Sequence, residues 1–317
     1  MKRLLSLLRN KKPFNRSVVQ VLVGVVVIVG VATLGYHLLV ASHAATPYAA
    51  AYAANGKLIT PATLVSGGSN ANSQAVQFGS MSTPSPANCT SPNYTSSSTS
   101  GSVNYGSYTV EQDMWNPVSI TQSLSACNYN SWYVTAQVAN QNDGYCATVQ
   151  SYPDTRINEP SQTIASMTTM TSDFGDMTPP TGSGLCYESA YDIWLGPSVN
   201  GYDTTNNTEL MIWTDVDGVT PAGSVVGTVS LDGMSWKIYL ANTPSSSGGD
   251  LLSYVAETNF TSGGLNLLAF FDDAASRGYL EAGTSTPLWQ VDYGYELYSI
   301  PANTVLGINN FSLTYSQ

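Results

Sequence analysis

The alternation of apolar and polar positions predicts a domain built mostly of short β-strands. From about residue 86 onward, runs rich in β-branched and aromatic residues alternate with Gly, Asn, Pro and Ser turns at regular spacing. This spacing favours an all-β, two-sheet antiparallel sandwich of the jelly-roll type. The predicted strands are 107–112, 132–138, 145–152, 189–195, 209–214, 223–231, 234–241, 251–256, 290–297 and 309–315.

One stretch departs from the strand pattern. Residues 264–277 (GLNLLAFFDDAASR) place apolar side chains at helical intervals, which predicts a helix packed on the outside of the sandwich. Ser262 is the expected N-cap, and Gly278 is the expected end of the helix.

The N-terminal segment has a different character from the rest of the chain. Residues 1–16 are basic, residues 18–40 are almost entirely apolar, and ASHAA follows at 41–45. Such a segment is typical of an export signal peptide or a signal anchor, and either one places the remainder of the chain outside the cell. The pattern leaves cleavage and membrane anchoring open.

Residues 46–85 are rich in small and polar residues and carry Lys57 as their only charge. They predict a linker, with a remnant of a carbohydrate-binding module at 54–80 as the second interpretation. The expected organisation is therefore a signal segment (1–45), a linker (46–85) and one folded domain (86–317).

The charge distribution argues against binding to nucleic acid. Of the ten Lys and Arg residues, six lie in the first 16 positions, whereas all 21 Asp and Glu residues lie beyond position 110. The exported part therefore holds four cations and 21 acids, a formal net charge of −17. Such a surface disfavours nucleic acid as a partner and is compatible with a neutral polymer.

The two histidines, His37 and His43, lie in the N-terminal segment. The predicted domain therefore has no Ser-His-Asp triad, no Cys-His dyad and no His-ligated zinc site, and acid–base chemistry must use carboxylates, Tyr or Lys. No cofactor and no metal are expected.

Four cysteines, Cys89, Cys127, Cys146 and Cys186, lie in the predicted domain. Their even number, in an oxidising compartment, predicts two disulfides. Spacing alone leaves three pairings open.

Carboxylates recur beside aromatic residues on three predicted strands. Strand alternation places side chains two residues apart on the same face. The resulting sets are Glu209 with Met211 and Trp213, Asp192 with Trp194, and Asp292 with Glu296 and Tyr298. A single carboxylate is ordinarily a solvated acid, but this recurrence favours a sugar-binding groove, since retaining glycosidases use two carboxyl groups about 5–5.5 Å apart. Three other tryptophans, Trp132, Trp236 and Trp289, are expected in the core.

Four motifs in the predicted domain resemble glycoside hydrolase family 12, whose members are endoglucanases with a concanavalin-like β-jelly roll. They are ELMIW at 209–213, AYDIW at 190–194, GYE at 294–296 and QDMWNP at 112–117, and the resemblance covers roughly residues 86–317. It implies Glu209 as the nucleophile, Glu296 as the acid/base and Asp192 as the helper carboxyl. It also implies the disulfide pairs Cys89–Cys127 and Cys146–Cys186.

The groove residues follow from the same motifs. Trp115, Met211 and Trp213 are the expected contacts to sugar rings, and Asn116 and Tyr298 are candidate hydrogen-bond donors to sugar hydroxyls. The segment GYELYS lacks the proline that follows the acid in the family pattern, and Glu281 in YLEAGT is a competing candidate for the acid/base.

The leading hypothesis is a secreted, or membrane-anchored but extracellular, retaining endo-β-1,4-glucanase that acts as a monomer on cellulose or a related β-glucan. A xyloglucan-specific endoglucanase is an alternative within the same chemistry. A non-catalytic carbohydrate-binding surface protein and a structural adhesin are alternatives outside it.

Overall fold

The computed structural model describes residues 88–117, 119–139, 146–177, 184–196, 208–242, 250–280 and 283–317. The predicted signal segment (1–45), the predicted linker (46–85) and Glu281 lie outside the described residues. In the described ranges, no helix has the length and apolar character needed to cross a membrane.

The described residues form fourteen β-strands, one α-helix and two short 3-10 helices, Ile164–Ser166 and Gly283–Ser285. The first seven strands are β1 (Tyr94–Ser96), β2 (Ser102–Tyr105), β3 (Tyr108–Glu111), β4 (Ile120–Asn128), β5 (Ser131–Val138), β6 (Asp154–Thr163) and β7 (Thr169–Asp176). The others are β8 (Cys186–Leu195), β9 (Thr208–Asp217), β10 (Ser224–Leu231), β11 (Met234–Asn242), β12 (Asp250–Ala256), β13 (Ser262–Asn266) and β14 (Pro287–Ser316), and the helix is α1 (Leu267–Ser276).

The strands make two sheets that share β14. The first sheet has the order β1-β4-β5-β14-β7-β13, and the second has the order β2-β3-β6-β14-β8-β9-β12-β11-β10. Up to Ser299, β14 pairs with β6 and β8 in the second sheet. From Ile300 onward it pairs with β5 and β7 in the first sheet. The pairing with β5 has a register shift between Ile300 and Thr304. The predicted all-β two-sheet class is confirmed, with β9–β12 as a parallel pair among otherwise antiparallel ones.

The core contains side chains from both sheets. Tyr293, in the second-sheet part of β14, stacks on Phe311 in its first-sheet part, with ring centroids 5.8 Å apart. The predicted core residues Trp132 and Trp236 are both fully buried. The indole of Trp132 donates a hydrogen bond to Thr155 Oγ1 at 2.6 Å, so the polar end of this ring is satisfied in the core.

Most predicted strands lie within observed ones, but the strand predicted at 145–152 is wrong. Among its described residues only Ser151 makes a bridge, to Leu297. Gln150 and Ser151 share two backbone bonds with Leu297 of β14, but the other backbone bonds go to a neighbouring loop: Gln150 accepts from the Asn116 N–H at 3.2 Å, and the Tyr152 N–H donates to Asp113 at 3.0 Å. The strands β1, β2, β4, β6, β7 and β13 were not predicted.

The helix is present but begins later than expected. Ser262 is not its N-cap, because residues 262–266 form β13 and pair with β7. The observed N-cap is Asn266, whose backbone N–H donates to Asp232 Oδ2 at 2.7 Å. At the other end Gly278 adopts a φ of 76° and terminates the helix as predicted.

A buried acid at the end of β7, Asp176, predicts that stability falls as pH rises. Asp176 is 3% exposed, and burial raises its pKa to about 8 although Ser189 and Tyr293 donate hydrogen bonds to it. The folded protein therefore retains a proton that the unfolded chain, with an aspartate pKa of about 3.9, releases. Between these two pKa values, each unit of increasing pH lowers the free energy of unfolding by at most about 1.4 kcal/mol through this group.

The full chain is expected to unfold at a higher temperature at pH 5 than at pH 8. Since other acids contribute to this trend, the relevant comparison is with Asp176→Asn, which keeps a neutral side chain at both pH values. Thermal unfolding followed by circular dichroism should show a smaller pH dependence in the variant. Parallel dependences in the two proteins would mean that Asp176 is ionised in the fold.

Candidate active site

The face of the second sheet that points away from the core carries a cleft of about 680 Å³. Its lining comes from the loop at 113–115, the segment 146–152, the connection between β9 and β10 at 220–222, and the strands β8, β9, β12 and β14. Seven of the eight predicted catalytic and substrate-binding residues line it: Trp115, Asp192, Glu209, Met211, Trp213, Glu296 and Tyr298.

Strand alternation accounts for this convergence. On β9, Leu210 and Ile212 are fully buried in the core, so the residues between them face the cleft. The antiparallel register places Glu209 opposite Trp194 and Met211 opposite Asp192. Asp192 and Glu209 are therefore diagonal neighbours on adjacent strands.

Asn116 is the exception among the predicted site residues. It is not part of the cleft lining, and its side-chain amide donates a hydrogen bond to the Val149 carbonyl at 3.1 Å. Its backbone N–H donates to the carbonyl of Gln150. The predicted hydrogen bond from Asn116 to a sugar hydroxyl stays a prediction, and these two bonds join two loops beside the cleft.

The aromatic residues of the cleft differ in exposure. Trp115 is 57% exposed, whereas Met211 and Trp213 are each 3% exposed. The Trp213 indole N–H points to Met211 Sδ at 3.5 Å, so these two side chains form a close-packed floor. Trp115 presents the larger free surface to a ligand.

Two carboxyl groups of the cleft, Glu209 and Asp192, retain protons more strongly than free acids do. Burial, and secondarily the charge of Glu296, raises the pKa of Glu209 to about 8. Burial and then the charge of Glu209 raise the pKa of Asp192 well above its usual range. Asp192 Oδ2 accepts a hydrogen bond from the Trp194 indole at 3.3 Å, while Oδ1 accepts none from another described residue. The ionisation of Asp192 is therefore coupled to that of Glu209, and the charge of Glu296 acts on both groups.

A single arginine organises a second group of acids below the cleft. Arg156 on β6 forms ion pairs with Glu111, Asp292 (3.3 Å), Asp154 (3.7 Å) and Asp113 (3.8 Å). Asp154 is fully buried, and burial raises its pKa against the opposing effect of Arg156.

Asp292 connects this group to the cleft. It lies opposite Asp192 in the β14–β8 register and accepts a hydrogen bond from the Gln290 amide. Burial raises the pKa of Asp292 to about 7 although Arg156 lowers it. The charge of Asp292 also contributes to the raised pKa of Asp192. The arginine cluster and the cleft acids are therefore electrostatically coupled.

Three acids of the arginine cluster have the spacing of a metal site. One carboxylate oxygen from each of Glu111, Asp113 and Asp154 lies within 4.8 Å of the others. Arg156 forms ion pairs with all three. The guanidinium therefore supplies positive charge where a cation would otherwise bind.

Some residues in and around the cleft were not predicted from the sequence. Tyr152 lines the cleft and donates its hydroxyl to the Ala190 carbonyl at 2.9 Å, and Asp113 lines it near Glu296. Arg156 was noted only as one of few cations, although its rarity in an acid-rich domain was a usable signal. Glu188 precedes Asp192 by four residues on β8, so strand alternation could have placed both side chains on the same face.

Two disulfides support the site. Cys89 is joined to Cys127 and Cys146 to Cys186, with Cα–Cα distances of 5.4 and 5.6 Å. These are the pairs that the resemblance implied. Since Cys146 lines the cleft and Cys186 begins β8, the second disulfide attaches the 146–152 wall to the sheet that carries Asp192.

Comparison with known proteins identifies the family. The model described as Glycosyl hydrolase family 12 matches residues 106–316. Endoglucanase S of Pectobacterium parmentieri is 33% identical over 89 residues, which are 27% of this chain and 34% of that protein. A probable xyloglucan-specific endo-β-1,4-glucanase A of Aspergillus clavatus is 25% identical over 171 residues, 52% of this chain and 66% of that protein. This chain thus spans about a third of the first relative and just under two thirds of the second.

A solved structure agrees with this assignment. The endoglucanase cel12A from Rhodothermus marinus superposes with a TM-score of 0.60 at 26% identity, covering 71% of this chain and 99% of that one. The family model covers more than half of the sequence, including all three cleft strands that carry Asp192, Glu209 and Glu296. The chain belongs to glycoside hydrolase family 12.

Proposed function

We propose that this protein is a secreted, retaining endo-β-1,4-glucanase. The observation that carries the proposal is the placement of Glu209 and Glu296 in one aromatic-lined cleft, close enough for the charge of Glu296 to raise the pKa of Glu209. Retaining glycosidases place such a pair about 5–5.5 Å apart across the scissile bond. The two disulfides are consistent with an extracellular location.

In the first step Glu209 attacks the anomeric carbon, and Glu296 donates a proton to the departing glycosidic oxygen. A covalent glycosyl-enzyme results, with an ester bond to Glu209. In the second step Glu296, now ionised, takes a proton from water, which attacks the anomeric carbon and releases Glu209. Two inversions at one carbon return the original anomeric configuration.

These roles require Glu209 to be ionised although burial raises its pKa to about 8, and the raised pKa of Asp192 is the one that fits them directly. The attacking form of Glu209 is the carboxylate, so the proton shared by the cleft acids must lie on Glu296 in the productive state. Asp192 is 9% exposed, and its raised pKa favours a proton on this group. A protonated Asp192 beside Glu209 donates a hydrogen bond that stabilises the nucleophile as the carboxylate.

The substrate class follows from the charge and aromatic surface of the cleft. A neutral polysaccharide is not repelled by an acid-rich domain, and the exposed ring of Trp115 offers a flat surface for a pyranose ring. One relative is a probable xyloglucan-specific enzyme. Cellulose, mixed-linkage β-glucan and xyloglucan therefore remain the candidate substrates.

The test is reducing-sugar release by the full chain from carboxymethyl-cellulose, barley β-glucan and xyloglucan. Activity is expected on at least one of these polymers, and proton NMR should show the β-anomer as the first product, before mutarotation. An α-anomer would contradict the retaining mechanism. Binding to these polymers without release of reducing ends would instead support a carbohydrate-binding protein.

A further inference from the structure

A second glutamate lies beneath the proposed acid/base. Glu188 on β8 is directly opposite Glu296 on β14 in the antiparallel register. Side chains opposite each other in such a pair have Cβ atoms about 4.5–5.5 Å apart. Glu188 is fully buried, whereas Glu296 reaches the cleft, and the two carboxyl groups lie near enough to interact electrostatically.

A hydrogen bond between these two facing groups requires a proton on one of them. An ionised carboxylate only accepts hydrogen bonds, so two carboxylates cannot bond to each other unless one is protonated. Tyr298 lies near both groups, but its hydroxyl donates to Glu296 Oε2 at 2.8 Å and has no second proton to give. No N–H or O–H donor of another described residue bonds to either oxygen of Glu188. The proton therefore belongs to the carboxyl pair.

The surroundings favour Glu188 as the group that holds this proton. The titratable groups that face it are Glu296 and Tyr298 from β14 and Asp192 from its own strand, while β9 presents Val216 opposite it. Asp113 and Tyr152 approach Glu296 from the cleft wall. No cation is among these neighbours. Burial, followed by the charge of Glu296, raises the pKa of Glu188 well above its usual range.

We propose that Glu188 is a positioning residue that keeps its proton throughout catalysis and donates it as a hydrogen bond to Glu296. This inference rests on the proposed role of Glu296 as the acid/base. Glu188 and Tyr298 then hold the Glu296 carboxyl in one orientation and stabilise its ionised form, which exists between the two chemical steps. No bond to Glu188 forms or breaks in either step.

The test compares Glu188→Gln with Glu188→Met. Gln keeps a neutral hydrogen-bond donor, so the alkaline limb of the kcat/KM pH profile, which reports loss of the acid's proton, should stay in place. Met removes the donor, so the limb should move to higher pH by about one unit, the equivalent of one charge-assisted hydrogen bond. One pKa unit corresponds to a factor of ten in an equilibrium or rate constant, so kcat should fall about tenfold.

A matched control separates this role from a purely structural one. Ser189→Ala alters the opposite face of the same strand, where Ser189 bonds to Asp176, and is expected to lower the unfolding temperature without moving the limb. A limb that does not move in Glu188→Met overturns the proposal. A limb that moves to lower pH in Glu188→Gln also overturns it, because that shift means that Glu188 is a charged carboxylate.

Infrared spectroscopy provides a measurement that is independent of activity. The difference spectrum of wild type minus Glu188→Gln at pH 7 should contain the C=O stretch of a protonated carboxylic acid. If the wild type cleaves β-glucan but the band is missing, the inference about Glu188 is wrong. If the band is present but no polymer is cleaved, the protonated pair exists and the proposed function fails.

Discussion

The Glu209→Ala variant is expected to lose cleavage of β-glucan by a factor on the order of 10⁴ or more, since the covalent route through the nucleophile is lost. Glu296→Ala is expected to lose about 10²–10⁴-fold, the usual contribution of a general acid. Both carboxyls line the same cleft, on strands that flank β8. Reducing-sugar assays on the polymer identified above would measure the two losses.

Azide distinguishes the roles of these two residues. With an activated aryl β-cellobioside, azide can enter the space left by Glu209→Ala and attack the anomeric carbon directly, which gives an α-glycosyl azide. In Glu296→Ala, azide attacks the glycosyl-enzyme instead and gives a β-glycosyl azide. Proton NMR of the products therefore assigns nucleophile and acid/base separately.

Glu257→Ala is the matched control, since this half-exposed acid follows β12, does not line the cleft and pairs loosely with Lys237, at 4.0 Å. It should retain wild-type activity. If Glu296→Ala remains active and Glu281→Ala does not, the acid/base is Glu281, the competing candidate from the sequence. If Glu209→Ala remains active, the proposed covalent mechanism is wrong.

The Arg156→Met variant is expected to be the most destabilising single substitution proposed for this fold. Removing one partner of a buried ion pair costs about 3–5 kcal/mol, because the remaining charge is left uncompensated. For a domain of this size that corresponds to a decrease in unfolding temperature of roughly 6–20 °C. Arg156 is 13% exposed and contacts four acids, so solvent cannot replace it.

The loss of stability in Arg156→Met should be larger at high pH than at low pH. Arg156 opposes the rise in the pKa of Asp113, Asp154 and Asp292. Without it these acids protonate more readily, so the variant should be closest to wild type at pH 4 and furthest from it at pH 8. Thermal unfolding at both pH values measures this difference.

Lys237→Met serves as the control for loss of a positive charge. Its ion pair is half-exposed, and removal of such a pair is expected to change stability by less than about 1 kcal/mol. Equal stability of Arg156→Met and wild type at pH 8 would show that the clustered acids are already neutral and do not need the guanidinium.

The parts of the site that were predicted from the sequence are those that depend on one strand at a time. The period of two along 209–213 is sufficient to assign Glu209, Met211 and Trp213 to one face and Leu210 and Ile212 to the core. The motifs of the family then supplied the roles. Neither argument depends on knowing which strands are neighbours.

The parts that were missed depend on register between strands that are distant in sequence. Glu188 meets Glu296 only because β8 pairs with β14, and Arg156 reaches Asp292 only because β6 pairs with the other edge of β14. The late start of α1 has a similar origin, since residues 262–266 satisfy their backbone groups by pairing with β7. Local periodicity carries no information about these pairings.

The sharing of β14 between the two sheets also has a consequence for the order of events during synthesis. This strand follows all others in the described chain, yet it pairs with β5, β6, β7 and β8. Until it is available, each sheet has a gap at this position, and the contacts that close the gaps join residues far apart in sequence. Such non-local pairing is slow to form. Completion of the fold must therefore wait until residues 287–316 have been made.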